Sequence, residues 1–226
     1  MAAYQENSEY LEAMGLYLSG DWKEADQAFA VLDAKFAGEA FLKLLRGNIS
    51  YSMGKLDDAV RHYEDAVALR PEFGSAYYKL GVCLYRMGKL NAALAAFTSV
   101  QKTGSQSHAM ASYFVGLINL FLGKDDKAAQ AFAEFHTLSP ESTIADFYLA
   151  QLKIKRKEFK EAKELLTRLV SETPDFAEVH YMLGTVQYGL HNNTEAIQCF
   201  QRALDINPDD ERSKTKLTLL TDVQWP

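Results

Sequence analysis

The chain has 226 residues, 48% hydrophobic and 24% charged, with a net charge of −6 and a pI of about 5.4. This composition excludes a mainly disordered chain, and the acidic balance argues against a general nucleic-acid or anionic-membrane binder, since both carry a basic excess. The sequence has no run of 18 apolar residues, so direct membrane insertion is not expected.

The first stretch, MAAYQENSEYLEAM, has neither a basic leader nor an apolar core. No secretory signal is expected, and the reading is a cytoplasmic chain. Cys83 and Cys199 lie far apart, outside any CxxC or Cys/His cluster, which fits two buried thiols in a reduced compartment.

From residue 6 onward one step recurs. Ala25, Ala59, Ala93, Ala128, Ala162 and Ala196 are spaced 34, 34, 35, 34 and 34 apart. Four residues after each stand Phe29, Tyr63, Phe97, Phe132, Leu166 and Phe200. Twelve residues before each stand Ala13, Gly47, Gly81, Gly116, Ala150 and Gly184. Twelve after come Ala37, Pro71, Ser105, Pro140, Pro174 and Pro208, so four of the five prolines share one position. The spacing predicts a helical hairpin in each copy. Small residues let its two helices approach, a turn glycine ends the first helix, and proline closes the second.

The copies run 6–39, 40–73, 74–107, 109–142, 143–176 and 177–210. The first carries Glu9 and Glu12 where a large apolar pair would be expected, as suits an outer repeat facing water. The second carries Lys43 and Arg46 at the same two positions, so two readings stand: ion pairs Glu9–Lys43 and Glu12–Arg46 between neighbouring first helices, or a solvated edge. The turn glycines of the first four copies are Gly20, Gly54, Gly88 and Gly123. One extra residue falls in KTGSQSH, ahead of the fourth copy. The fifth and sixth copies have Lys157 and His191 in place of the turn glycine. Residues 211–221 read as a seventh helix that covers the last repeat, and Trp225 and Pro226 as a frayed end.

This pattern resembles the tetratricopeptide repeat family, with its period of about 34 residues, Gly in the first helix, Ala-x3-aromatic in the second, and closing proline. The resemblance covers residues 6 to 210. It implies an all-α, right-handed α-α superhelix, a tetratricopeptide solenoid with a C-terminal capping helix, as one domain over 1–226. The inter-repeat aromatic usual in the family is replaced by Leu16, Ser50, Leu84, Asn119, Lys153 and Gln187, so looser packing is expected there.

The resemblance also implies that positions 2, 5, 9 and 12 of each repeat face a concave groove. Position 5 supplies Tyr10, Leu44, Tyr78, Tyr113, Phe147 and Tyr181. Position 12 supplies Tyr17, Tyr51, Tyr85, Leu120, Ile154 and Tyr188. Eight of the 12 tyrosines thus fall on two lines, which makes the expected face aromatic rather than charged. Position 9 adds Asn48, Val82, Leu117, Gln151 and Thr185, where Asn48, Gln151 and Thr185 are able to hydrogen-bond an extended peptide. Two readings of the rings stand: a peptide-binding face, or packing between neighbouring helices. The family's carboxylate clamp is absent, since Leu44 stands where its Lys is needed beside Asn48. Lys79 and Arg86 project from the third copy, either to attract an acidic residue of a ligand or as solvated charges.

No catalytic constellation is present. His62, His108, His136, His180 and His191 form no metal spacing, so no metal and no cofactor is expected. The Gly47–Lys55, Gly81–Lys89 and Gly116–Lys124 stretches miss the phosphate-loop spacing. The expected function is a non-enzymatic scaffold, adaptor or chaperone with a protein or peptide partner and no nucleic acid. The alternatives are a regulatory or targeting part of a larger enzyme, and a self-assembling homo-oligomer.

Overall fold

The computed structural model describes residues 7–104 and 108–222. Ser105, Trp225 and Pro226 lie outside the described residues. Among the described residues there are thirteen helices and no strand. They are α1 (Ser8–Ser19), α2 (Trp22–Lys35), α3 (Ala40–Ser52), α4 (Leu56–Leu69), α5 (Gly74–Arg86), α6 (Leu90–Gln101) and α7 (His108–Phe121). Then follow α8 (Asp125–Leu138), α9 (Ile144–Lys155), α10 (Phe159–Glu172), α11 (Ala177–Gly189), α12 (Asn193–Ile206) and α13 (Glu211–Thr221). Packing divides them into two compact units, 1–118 and 119–226.

In the second, third and sixth copies the hairpin is held by a ring laid on a glycine. A Cβ at Gly47 would sit 2.5 Å from the Tyr63 ring, one at Gly81 2.7 Å from Phe97, and one at Gly184 2.7 Å from Phe200. Glycine inside a helix costs roughly 0.5–1 kcal/mol. Sealing a whole aromatic side chain in the space it leaves returns about 1.5–3 kcal/mol. Phe97 and Phe200 are fully buried and Tyr63 is 1% exposed.

The turns are left-handed in all six copies. Gly20, Gly54, Gly88 and Gly123 have φ of 85°, 75°, 73° and 68°, and Lys157 and His191 take the same backbone at 60° and 64°. After His191 the chain closes α11 with the Asn192 N–H donating to the Gln187 carbonyl at 2.9 Å. Hydrogen bonding of the last turn therefore imposes the geometry even where glycine is missing. The second helices α4, α8, α10 and α12 stop just before Pro71, Pro140, Pro174 and Pro208.

In the first unit α2 packs on both α1 and α3. Its core joins Ala13, Ala25, Phe29, Leu32, Leu42, Leu45 and Ile49. The expected Glu9–Lys43 and Glu12–Arg46 pairs do not form. Glu9 binds Lys35 at 2.9 Å, while Lys43 and Arg46 both donate to Asp33, at 2.9 and 3.0 Å. Arg46 also approaches Asp26 at 3.6 Å. The reason is geometric: these positions on a first helix face the preceding second helix, not the preceding first helix. Asp33 is 7% exposed, so this is a buried network rather than a solvated edge.

The second unit repeats the arrangement with other chemistry. Asp146, fully buried, lies 2.9 Å from His136 Nδ1 and 3.2 Å from Arg168. Its apolar core joins Ala150, Ala162, Leu166, Leu169, Val179, Met182 and Val186. α13 packs on α12 and is pinned to α11 by Arg212, which donates to Glu178 and Asp210 and lies 4.3 Å over the Tyr181 ring. Burial alone would raise the Asp210 carboxyl. Hydrogen bonds from Ser213 and Arg212 outweigh that and hold it below its ordinary range.

Aromatic stacking between repeats is present, but in another register from the one expected. Phe114 stacks on Phe97 at 4.8 Å and 2°, and Tyr148 on Phe132 at 4.7 Å and 6°. Both rings come from position 6 of a first helix, five residues ahead of Asn119 and Lys153.

Candidate functional site

In the first unit the tyrosine lines are half packed and half open. Tyr10 is buried edge-on against Phe29 at 6.2 Å. Tyr17 leans on Trp22 at 5.7 Å and on Phe29 at 6.4 Å. Tyr78 sits between Phe97 and Phe114, at 5.9 and 6.2 Å, and Tyr85 and Tyr113 flank Phe114 at 5.4 and 5.6 Å. Each ring thus rests one side on the stack, which orients its remaining surface. Val82 and Leu117 are half-buried beside them, and Lys79 and Arg86 are exposed.

Asn48 ties this region together. Its amide donates to the Tyr17 hydroxyl at 3.4 Å, and it accepts from the Tyr63 hydroxyl at 3.0 Å. Burial raises the phenols of Tyr10, Tyr63 and Tyr78 above their ordinary value, so all three stay neutral. Arg86 lies 5.2 Å over the Tyr51 ring. Between α3, α4 and α5 opens a cavity of about 170 Å³, lined by Tyr51, Tyr63, Tyr78, Lys79 and Val82.

In the second unit Phe147 meets Tyr148 at 5.4 Å and Phe176 at 5.6 Å. Tyr181 leans on Phe200 at 5.9 Å, and its other face takes Arg212. Gln151 is exposed, and the Thr185 hydroxyl donates to the Tyr181 carbonyl of its own helix at 3.0 Å. Tyr188, 45% exposed, carries Lys216 over its ring at 5.3 Å. A cavity of about 210 Å³ is lined by Gln151, Ile154, Glu178, Tyr181, Met182 and Thr185.

The two cavities occupy equivalent places. Each lies where positions on one first helix meet positions 5, 6 and 9 of the next: Tyr51 with Tyr78, Lys79 and Val82, and Gln151 and Ile154 with Tyr181, Met182 and Thr185. Glu178 is a position 2 residue, on a line expected to face the groove, whereas sequence reasoning missed Tyr63, Met182 and Arg212 as parts of these sites. The signal for the first lay at position 6, where Leu11, Leu45, Phe114, Tyr148 and Met182 are large and apolar and only Lys79 is not. Among the described residues no group of three or more His, Cys, Asp or Glu is placed to hold a metal. No described helix is long and apolar enough to cross a membrane.

Family models for tetratricopeptide repeats match residues 47–88, 84–143, 123–184 and 157–220. The chain belongs to the tetratricopeptide repeat family. Solved structures with the same fold include YrrB, described as a tetratricopeptide repeat protein with an unusual peptide-binding site. It has a TM-score of 0.76 and 20% identity over 84% of this chain and 98% of that one. MamA follows with a TM-score of 0.66 and 20% identity over 83% and 97% of the two chains. Pseudomonas aeruginosa pilF has a TM-score of 0.70 and 13% identity over 92% and 95%. Among curated relatives, the Drosophila melanogaster BBSome complex member BBS4 homolog is 26% identical over 69% of this chain and 34% of its own length. The human protein O-mannosyl-transferase TMTC3 is 25% identical over 78% and 19%. Human anaphase-promoting complex subunit 7 is 22% identical over 75% and 30%. The chain thus spans about a third or less of the curated relatives it matches. As a tetratricopeptide repeat fold, it is suited to a protein–protein interaction scaffold.

Proposed function

We propose that this tetratricopeptide repeat chain is a non-catalytic scaffold or adaptor that captures a segment of a partner protein on the face formed by its first helices. The observation that carries the reading is the pair of cavities at equivalent repeat positions, both on lines that the sequence marks as aromatic. Half-packed tyrosines suit that task. Their rings are already fixed by the stack, so binding costs little further side-chain entropy, and they offer apolar area with a polar edge. Relatives named as members of multi-subunit complexes point the same way. Cys83 and Cys199 are free thiols that burial holds protonated, which fits a reducing compartment such as the cytoplasm.

The test uses peptides selected on the whole chain from a random library displayed through its C-terminus. Val82→Asp and Thr185→Asp place a carboxylate on half-buried positions of the two sites without entering either core. Selected peptides should lose about tenfold or more in affinity for at least one variant, with helicity unchanged. Peptides that bind both variants as tightly as the parent would move the site off this face.

A further inference from the structure

The cavity beside Tyr63 is set apart from its counterpart in the second unit by the residue at position 6. Position 6 of a first helix normally fills the space against the preceding second helix: Phe114 stacks on Phe97, Tyr148 stacks on Phe132, and Leu45 shares a cluster with Phe29. In the third copy that position is Lys79, which is exposed and leaves the space against Tyr63 open. A lysine directs its ammonium to water and cannot fill such a slot. The result is an apolar-floored cavity with a cation at its lip.

Charge on the surrounding face is one-sided. α3, α5 and α7 contain no Asp or Glu, in a chain with 30 acidic and 24 basic residues. Lys43 and Arg46 of α3 are paired with Asp33, Asp65 and Asp26. Among the described residues Lys79 and Arg86 have no carboxylate partner, and Arg86 rests on Tyr51. The equivalent site in the second unit differs on both counts: Met182 occupies position 6, and Glu178 is on its rim, held by Arg212.

We infer that the Tyr63 cavity is the selective subsite of this face, and that its occupant is an internal partner segment pairing a side-chain carboxylate with an adjacent aliphatic side chain. The aliphatic group enters the 170 Å³ space over Tyr63 and Val82, and the carboxylate meets Lys79 at the lip. Arg86, about two turns along the same face of α5, supplies the second positive charge. The inference rests on the proposed capture of a polypeptide by this face, and deepens it to a chemical class.

Library selection on the whole chain separates the two, because peptides displayed through their C-terminus carry no free terminal carboxylate. Selected sequences should hold Asp or Glu within a residue or two of Leu, Ile, Val or Met. Replacing that acid by its amide should cost about fivefold, and less at high salt. Lys79→Gln keeps the slot open and removes the charge, so it should lose the acidic preference and keep the aliphatic one. Lys79→Met removes the charge and sets at position 6 the residue of the counterpart cavity, so it should lose the acidic preference as Lys79→Gln does. Selected peptides that lose affinity with Val82→Asp but show no acid–aliphatic pair, or whose acidic preference survives both Lys79→Gln and Lys79→Met, overturn the subsite and leave the capture reading intact. Selection that yields no binder overturns both.

Discussion

At Lys157 and His191 the backbone sits at φ 60° and 64°, where a side chain with a Cβ is strained by about 1–2 kcal/mol. Four sister turns use glycine for the same geometry, so the strain comes from the residue and not from the turn. Lys157→Gly and His191→Gly should therefore each raise unfolding stability by roughly 0.5–1 kcal/mol, after allowing for the extra freedom glycine gives the unfolded chain. Urea denaturation of each variant checks this, and a loss of stability would mean that the two side chains make contacts worth more than the strain. The turn was legible in the sequence because Gly20, Gly54, Gly88 and Gly123 stand at a fixed offset from the Ala-x3-aromatic step. The persistence of the same backbone without glycine was not, since it is set by the hydrogen bonds that close the last helical turn rather than by the residue inside it.

Between elements, the specifying contacts are polar and change from one junction to the next. Lys43 donates to Asp33, Gln101 to Ser112 at 3.4 Å, and Asp146 meets His136. These partners lie ten or eleven residues apart, across the turn that joins a second helix to the following first helix. Reading the sequence by equivalent positions 34 apart pairs Glu9 with Lys43 and misses them, because repeat periodicity tells which residues share a role and not which residues touch. His62, 8% exposed, borders the first of these junctions. Burial and then the charges of Arg46 and Lys43 lower its pKa from the ordinary value. Its folded form refuses a proton that the unfolded chain accepts near pH 6.5, so its contribution is fully present above about that pH and is lost as pH falls through the lowered folded value. His62→Gln should flatten the fall in melting temperature between about pH 7 and pH 5. Parallel melting curves for parent and variant that keep the same pH slope would remove His62 from the account.

Across the whole molecule, the residues that make each unit cohere were legible, and those that make its candidate site distinctive were not. The tyrosine lines follow from the period, yet the cation at the lip of the Tyr63 cavity comes from Lys79 standing where its sister copies are apolar, and α13 is tied to α11 by Arg212, which binds Glu178 and lies over Tyr181. The two units also carry separate buried charge clusters, one on Asp33 and one on Asp146, and in stacked repeats stability is a sum of local and nearest-neighbour contributions. Removing a carboxylate leaves its partners uncompensated, and since those of Asp33 are 22% and 20% exposed and those of Asp146, His136 and Arg168, are both 35% exposed, each loss falls below the roughly 3–5 kcal/mol of a fully sealed pair. Amide hydrogen exchange reads where that loss lands. Asp146→Ala should speed exchange in α8, α9 and α10 by at least tenfold while α3 and α4 keep parental protection, and Asp33→Ala should do the reverse. Equal acceleration in every helix of both variants would mean that the two clusters belong to one cooperative transition, and that the division of the core carries no energetic boundary.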